Sequence, residues 1–455
     1  MEAETRLVEY LTRTDFESIP REPLNTIKDM ILGVLGTTVA GSSSEGCEEM
    51  VAYHRSMGGR EEGTIFVHGG KIPATNAAFV NSVMARALDY CDAMAPGVHI
   101  GSSAVPVAFA AAELVGGCSG REFLTALTLG AELSARLNLT ESAYDGFDPT
   151  GVCTIFAATA IACRILKLSS SQTLNALALA FNKSGGSFQS NIDGSLAVRI
   201  IQGWVSQNGL TCALFARTGI TGPHQFLEGV YGYFHLFGRD RLDSEQVLGA
   251  LGERFDLQKM VFKKYPSCGL TQGCTEAILA LMQEENITAE DVRTIQVHVP
   301  PYAHKLVGHP FQLGENPRVN AQFSIQYCVA SALLRGNSRL ENFEESAVRD
   351  PDVLSFLNKI NVTPDPQLDR RGHTALDMHV HTVNGAQVLK RIDVAPGFPG
   401  NPLTREEHLK HFRDCLESMP GGLSGEDTGE IPEMIDNIED LDDVRTIIPH
   451  LMKSG

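Results

Sequence analysis

The chain has 455 residues, more than one hydrophobic core usually supports, so its length predicts two domains. Its composition, 43% hydrophobic and 20% charged, is that of a folded globular protein. A formal net charge of -18 repels the phosphates of nucleic acids and of anionic lipids, so neither is an expected partner. The N-terminus has no export or transit pattern and no apolar run reaches about 18 residues, which predicts a cytoplasmic protein that does not span a membrane.

The first part of the chain reads as a succession of helices rich in Ala, Gly and Ser. Small side chains let helices approach closely, so we expect a compact bundle. The predicted helices cover residues 24–40, 75–92, 103–115, 121–137, 154–166, 170–181 and 200–217. We therefore predict an all-helical domain over residues 1–260.

The pattern changes after residue 260. Residues 294–299 alternate with period two, as a strand does, and residues 377–383 and 386–393 flank Asn384-Gly385 as a hairpin would. The Asn-Gly pair favours a two-residue type I′ turn, because that turn needs positive φ angles at both positions.

Helices predicted at residues 271–283 and 323–334 complete a smaller α+β domain over residues 261–402. Helical pattern returns at residues 405–416, where Thr404 and Glu407 fit a capping box. Residues 403–455 are therefore predicted to rejoin the helical domain, and the predicted fold class is mainly α.

Several common catalytic motifs are absent from the sequence. There is no Gly-x-Gly-x-x-Gly, Walker loop, His-Glu-x-x-His or Gly-x-Ser-x-Gly, which favours chemistry without a cofactor. His379 and His381 would share one face of a strand and could ligate a metal, but a solvent-facing polar row explains them equally well, so we predict no metal site. The ten cysteines form no Cys-x-x-Cys pair and are expected to be reduced core thiols.

Residues 87–103 join one apolar helix to the next and contain Asp89, Asp92 and His99. A loop between buried helices can position carboxylates and an imidazole for proton transfer near neutral pH. Taken alone, the two acids could equally be surface groups at a helix C-terminus, and His99 a loop residue that contacts a carbonyl.

This segment and five further motif regions, in the same order, resemble the MmgE/PrpD family across nearly the whole chain. They are ALDYCDAMAPGVHIGSS at 87–103, GFDPTG at 146–151, DGSLAVRIIQG at 193–203, TGP with LEGVYG at 221–232, KKYPSC at 263–268 and FSIQY at 323–327. The family includes 2-methylcitrate dehydratase, cis-aconitate decarboxylase and iminodisuccinate epimerase. The resemblance implies an all-helical domain with an α+β lid, an active site between them, and a small polycarboxylate substrate.

The resemblance also implies roles for particular residues. Asp89, His99 and Tyr327 match positions that would move a proton beside a carboxylate. Arg199 and Lys263 would hold substrate carboxylates, the arginine in a two-pronged contact. The remaining candidates for the substrate pocket are Asp92, Asp148, Cys268 and Gln272.

Each of these residues also has a structural interpretation. Lys263 and Lys264 could be a solvated basic pair, and Arg199 could form a structural ion pair. Tyr327 could be a core aromatic residue with its hydroxyl capped, and Cys268 a buried, inert thiol.

The chain departs from the family pattern at four positions. Asp148 and Gln272 stand where many members have histidine, Ala93 stands in place of a threonine, and Val198 precedes Arg199 where a Lys-Arg pair is usual. Loss of one ammonium group removes a charge-assisted contact worth about 1.5 to 3 kcal/mol, which weakens the case for a tricarboxylate.

Three functional hypotheses follow. The first is a cofactor-independent lyase that dehydrates or decarboxylates a small di- or tricarboxylic acid. The second is an isomerase or epimerase of a dicarboxylate of the iminodisuccinate type, because returning one proton needs fewer groups than expelling water. The third is a catalytically inactive relative that binds a ligand. A homodimer is expected, as in many members of the family.

Overall fold

The structure is a computed structural model that describes residues 2–139, 146–242, 244–419, 421, 423 and 428–453. The chain divides into two units. Unit 1 consists of Met1–Met260 and His408–Gly455, and unit 2 of Val261–Glu407. The domain boundaries predicted after residues 260 and 402 stay a prediction; the second division between the units falls after Glu407.

Unit 1 is built mainly of helices. They are α1 Glu2–Arg13, α2 Arg21–Gly41, α3 Cys47–Ser56, α4 Ala74–Arg86, α5 Gly101–Leu114, α6 Gly120–Leu137, α7 Ile155–Ile165, α8 Ser170–Phe181, α9 Gln189–Ile192, α10 Ala197–Arg217, α11 Tyr233–Leu236, α12 Ser244–Leu248 and α20 Ile431–Asp436. Two short strands, β1 Gly63–Thr64 and β2 Lys71–Ile72, pair antiparallel. Helix α19, Arg405–Glu417, begins at the end of unit 2 and continues into unit 1.

The centre of unit 1 is formed by helices with small side chains. Helix α4 packs against α2, α5 and α10, and α7 packs against α6 and α10. Every residue of α5 from Gly101 to Ala112 is buried. A helix buried on all sides carries no charged face, which is why α5 has no charged side chain before Glu113.

Unit 2 combines a four-stranded sheet with helices. Its strands are β3 Val292–Val299, β4 Ile360–Pro364, β5 Leu376–Thr382 and β6 Gln387–Ile392, in the order β4-β3-β5-β6. Its helices before α19 are α13 Gln272–Glu284, α14 Pro301–Val307, α15 Pro317–Gln322, α16 Ile325–Arg335, α17 Glu345–Val348 and α18 Pro351–Phe356. Strands β3 and β4 are parallel and the other pairs antiparallel. Buried and half-buried residues alternate along β5, so one face of the sheet closes the core of the unit and the other carries His379 and His381.

The predicted fold class, mainly α with a smaller α+β region, is confirmed. The capping box also forms, since the Thr404 hydroxyl accepts from the Glu407 amide and the Glu407 carboxylate accepts from the Thr404 amide. The predicted type I′ hairpin turn is wrong. Thr382 N–H donates to Ala386 O, which closes a three-residue loop in which only Gly385 has a positive φ, of 90°. This matches the hairpin built from a type I turn followed by one left-handed residue.

All ten cysteines are free thiols, and all except the half-buried Cys268 are buried. Within the described ranges, no helix combines the length and apolarity needed to cross a membrane. The same part of the chain contains no cluster of three or more His, Cys, Asp or Glu side chains suited to holding a metal ion.

Candidate active site

The predicted helix over residues 75–92 ends early, at Arg86, and this changes the position of both candidate acids. Asp89 has a φ of 51°, a left-handed conformation that does not continue a helix. Asp89 and Asp92 therefore lie in the irregular segment between α4 and α5. Both are buried, at 8% and 5% exposure, so their interpretation as surface groups is wrong.

The Asp92 carboxylate caps the beginning of α5. It accepts hydrogen bonds from the amide of Ile100 at 3.1 Å and from that of Gly101 at 3.0 and 3.1 Å. A Cβ atom at position 101 would lie 2.2 Å from Asp92 Oδ1, so this contact requires glycine. The first amides of a helix lack partners within the helix, and a carboxylate there is also favoured by the helix dipole.

Both ring nitrogens of His99 have a polar neighbour. Nδ1 lies 2.8 Å from the backbone oxygen of Asp92, and Nε2 lies 3.3 Å from Nη2 of Arg86. A carbonyl oxygen only accepts and a guanidinium only donates, so Nδ1 carries the proton and Nε2 presents its lone pair. The arrangement therefore selects a neutral imidazole with Nε2 as the basic atom.

The backbone of His99 is held by two further side chains. Its amide donates to Thr150 Oγ1 at 3.1 Å, and its carbonyl accepts from Gln202 Nε2 at 3.1 Å. Neither residue was among the candidates from the sequence. Both lie in the motif regions, Thr150 at 146–151 and Gln202 at 193–203, but nothing in the local spacing indicates that they meet His99.

Arg86 is the most central residue that sequence reasoning missed. Its Nη1 donates to Asp89 Oδ1 at 2.6 Å, and its side chain is 5% exposed. Burial opposes the charge of Arg86, but attraction by Asp89, Cys91 and Asp148 outweighs burial and raises its pKa. A signal was available, because Arg86 and Asp89 have the i, i+3 spacing of a helical ion pair.

Asp148 lies at the beginning of a short π-helical turn, Thr150–Thr154, that leads into α7. Its Oδ1 accepts from the amides of Thr150 at 2.8 Å and Gly151 at 3.4 Å. Burial raises the pKa of Asp148, while the charge of Arg86 acts in the opposite direction. A carboxyl with a raised pKa can exchange a proton closer to neutral pH than an ordinary aspartate can.

Arg199 lies in the first turn of α10, three residues before Gln202, and is 8% exposed. Its Nη1 donates to the backbone oxygen of Glu45 at 2.7 Å. Burial raises the pKa of the neighbouring Cys47 to about 11, and the charge of Arg199 partly offsets that effect. Arg199 is thus a buried cation beside the N-terminus of α3.

The irregular segment between α4 and α5 is also contacted by a histidine of α19. His411 of α19 lies within unit 1, and its Nε2 is 3.1 Å from the backbone oxygen of Tyr90, the residue after Asp89. The two rings are 4.0 Å apart between centroids. Burial lowers the pKa of His411 to about 4, so it is neutral and donates to this carbonyl.

The two adjacent lysines of unit 2 differ in their burial. Lys264 makes ion pairs with Glu276 at 2.9 Å and Glu407 at 3.0 Å. Lys263 is 3% exposed. The interpretation of both as a solvated pair is therefore wrong for Lys263.

Gln272 is built into the turn formed by the KKYPSC motif. Its Oε1 accepts from the amide of Tyr265 at 2.9 Å, and its Nε2 donates to the carbonyls of Tyr265 at 2.9 Å and Ser267 at 3.2 Å. Cys268 is half-buried, and its carbonyl accepts from the Thr271 hydroxyl at 2.8 Å. The side chain of Gln272 thus fixes the shape of this turn.

Tyr327 is fully buried in the core of unit 2. Its hydroxyl donates to the backbone oxygen of Asn342 at 2.5 Å, and Nη1 of Arg335 lies 3.5 Å from the same hydroxyl. Burial raises the pKa of Tyr327, although Arg335 opposes this. These contacts fit a core aromatic residue with a capped hydroxyl.

The structure thus brings Asp89 and His99 together through Arg86, places the backbone of Asp92 beside the imidazole, and puts Asp148 within the electrostatic reach of Arg86. This group combines a neutral base, buried acids and a cation. It can therefore bind a carboxylate and move a proton.

Comparison with known proteins identifies the family of the chain. The model of the MmgE/PrpD N-terminal domain matches residues 5–245, and that of the MmgE/PrpD C-terminal domain matches residues 265–434. Cis-aconitate decarboxylase of Homo sapiens is 26% identical over 440 residues, which cover 94% of this chain and 89% of that protein.

Two dehydratases are also similar. The 2-methylcitrate dehydratase of Cupriavidus necator is 23% identical over 444 residues, covering 91% of this chain and 87% of that protein. The 2-methylcitrate dehydratase of Escherichia coli strain K12 is 22% identical over 391 residues, covering 79% and 77%. The two domain models together account for most of the sequence, and the chain belongs to the MmgE/PrpD family.

Proposed function

We propose that this chain is a lyase that dehydrates or decarboxylates a small di- or tricarboxylic acid, without a cofactor, by moving a proton beside a carboxylate. The observation that carries the proposal is the neutral His99, whose Nε2 lone pair is set by the Asp92 carbonyl and by Arg86. The names of the relatives, a cis-aconitate decarboxylase and 2-methylcitrate dehydratases, support this class of substrate.

Both reactions need a proton carrier and a cation near a carboxylate. In dehydration a base removes the proton from the carbon next to a carboxylate, the electron pair forms the alkene, and the hydroxyl leaves with a proton as water. In decarboxylation the bond to a carboxylate carbon breaks and carbon dioxide leaves; the electron pair of that bond forms a new double bond to the adjacent alkene carbon, and the other carbon of the original alkene gains a proton. We propose His99, supported by Asp89, as the group that moves these protons.

We propose Arg199 and Lys263 as the cations that hold further substrate carboxylates. Burial strengthens such contacts, because a charged hydrogen bond gains energy where water is excluded. Both residues are at least nine-tenths buried. Charge-assisted contacts of this kind would favour substrates with two or more carboxylates.

The other predicted pocket residues, Asp92, Asp148, Cys268 and Gln272, stay predictions, as does proton transfer by Tyr327. The side chains of Asp92, Asp148 and Gln272 bond to nearby backbone groups, which fits positioning rather than direct contact with substrate. A cytoplasmic location and a homodimer are likewise part of the proposal, and light scattering at micromolar concentration tests the dimer.

The test is proton NMR in deuterium oxide with a panel containing cis-aconitate, 2-methylcitrate, citramalate and iminodisuccinate. We expect one acid to disappear with formation of a new alkene, or with loss of carbon dioxide. His99→Gln should lower the rate by about 10²- to 10⁴-fold, the usual contribution of one proton carrier, while the circular dichroism spectrum stays unchanged.

Two outcomes would contradict the lyase proposal. Deuterium incorporation without change in mass balance would favour the isomerase or epimerase. Full inactivity on the panel, with active control enzymes, would favour the ligand-binding relative. Undiminished activity of His99→Gln would remove His99 from the mechanism.

A further inference from the structure

Arg86 creates a conflict for His99 that the proposed function has to resolve. Nη2 of Arg86 lies 3.3 Å from His99 Nε2, the atom that would accept a proton from the substrate. A lone pair that already accepts from a guanidinium cannot at the same time take a proton from carbon. In the structure, therefore, Nε2 of His99 is in the basic form but is covered by the Arg86 guanidinium.

The strengths of the possible contacts show how the conflict is resolved. Hydrogen bonds between two charged groups are shorter and stronger than those in which one partner is neutral. The imidazole is neutral and its contact with Nη2 is long, whereas Nη1 is held by the Asp89 carboxylate at 2.6 Å. A substrate carboxylate can thus displace the imidazole from Nη2 without breaking the ion pair at Nη1.

The position of Arg86 supports this division of its two nitrogens. It is the last residue of α4, a buried helix, and its side chain is 5% exposed, which leaves the guanidinium little freedom to turn. His99 is fixed from the other side by the Asp92 carbonyl, Thr150 and Gln202. Loss of the contact at Nη2 would therefore leave Nε2 in place with its lone pair exposed.

We propose that Arg86 binds a carboxylate of the substrate and that this binding uncovers Nε2 of His99. The inference rests on the proposed function, because it assumes that a carboxylic acid enters this site. Arg86 then supplies, from α4, a cation in a chain that has Val198 where the family usually has a lysine. It also couples the activity of the base to the presence of substrate, since the empty site holds the base covered.

The test is direct observation of the His99 ring nitrogens by NMR of the full chain labelled with ¹⁵N-histidine. The probe is tricarballylate, a saturated tricarboxylate without a hydroxyl or an alkene to react. In the wild type we expect a proton on Nδ1 and an Nε2 resonance typical of a hydrogen-bonded acceptor. Tricarballylate should shift the Nε2 resonance in the direction expected for an acceptor that has lost the Arg86 donor.

Two variants provide the controls. Arg86→Gln should weaken tricarballylate binding by about tenfold or more, the loss expected for one charge-assisted contact, and its Nε2 resonance should no longer respond. Arg86→Lys keeps a positive charge for Asp89 but has a single nitrogen in place of Nη1 and Nη2, so it tests the same point if Arg86→Gln does not fold. Its Nε2 resonance should lie near the shifted position even before ligand is added.

The proposal is overturned if tricarballylate does not bind the wild type at millimolar concentration. It is equally overturned if tricarballylate binds without moving Nε2, or if both Arg86 variants bind it as tightly as the wild type. These readouts need no turnover, so they are independent of the substrate panel. A response at Nε2 combined with inactivity on the panel would refute the proposed reaction and leave the role of Arg86 standing.

Discussion

Two segments that carry family motifs use their polar residues in different ways. In residues 87–101 of unit 1, the side chains of Asp89 and His99 both contact Arg86. In residues 265–272 of unit 2, the side-chain amide of Gln272 makes hydrogen bonds to three backbone groups of its own turn. Matching positions in a motif thus do not imply matching roles, because one polar side chain can serve chemistry and another can serve the fold.

Asp92 offers the strongest test of that contrast, because it lies in the first segment and yet acts as a helix cap. Asp92→Ala should leave the amides of Ile100 and Gly101 unsatisfied in the interior, at a cost of about 3 kcal/mol or more in the free energy of unfolding. Asp92→Asn keeps an acceptor oxygen and should lose much less. Urea denaturation measures both; if Asp92→Ala kept wild-type stability and only raised KM, Asp92 would belong to the substrate pocket.

His411 allows the support of the first segment to be measured through pH. Burial lowers the pKa of His411 from 6.5 to about 4, so between these values the unfolded chain binds the proton and the folded chain does not. The stabilisation is therefore complete above pH 6.5 and is lost as the pH falls towards about 4. The total is about 3 kcal/mol, given about 1.4 kcal/mol per pKa unit.

His411→Gln keeps a donor for the Tyr90 carbonyl but cannot titrate. As the pH falls over this range, the wild type should therefore lose about 3 kcal/mol more of its free energy of unfolding than His411→Gln does. Denaturant titrations at several pH values give the comparison. Parallel pH profiles for the two proteins would show that His411 is not the group responsible.

The two lysines sharpen the comparison within unit 2, because they are adjacent in sequence and differ in burial. Lys263→Met should raise KM by about tenfold to a hundredfold, the loss of one charge-assisted contact worth about 1.5 to 3 kcal/mol. Lys264→Met removes half-exposed ion pairs and should change stability by less than about 1 kcal/mol and KM little. Steady-state kinetics of the two variants measures both effects. Equal changes in KM for Lys263→Met and Lys264→Met would show that Lys263 has no special role in substrate binding.

Tyr327→Phe should have a small effect, and it is expected on stability. The change leaves the buried carbonyl of Asn342 without its donor and should cost about 1 to 2 kcal/mol. Because the hydroxyl is already used in the core, kcat should change by less than about tenfold. A fall of about 10²-fold or more at unchanged melting temperature would instead establish Tyr327 as a proton carrier.

Much of the fold could be predicted from the sequence, and the site only in part. Periodicity located the main helices and strand β3, and the order of the motifs identified the family. The end of α4 was misplaced because apolar residues continue past Arg86 while the backbone at Asp89 turns left-handed. The hairpin turn was misassigned because Asn-Gly fits more than one loop length.

The contacts that define the site join residues far apart in the chain. The amide of His99 meets Thr150, its carbonyl meets Gln202, and the carbonyl of Tyr90 meets His411. Local spacing carries no information about such pairs. The one local pair, Arg86 with Asp89, was accessible, but it lies at a helix end that the hydrophobic pattern did not mark.

The return of helix α19 to unit 1 has a consequence for synthesis on the ribosome. Phe412 and Cys415 pack over Gly36, and His411 contacts the loop at Tyr90, so residues made late complete a bundle whose helices α1 to α12 are made early. Unit 2 is translated between these parts and has its own core. The nascent helical bundle therefore lacks the contact between His411 and the Tyr90 carbonyl until the ribosome has released α19.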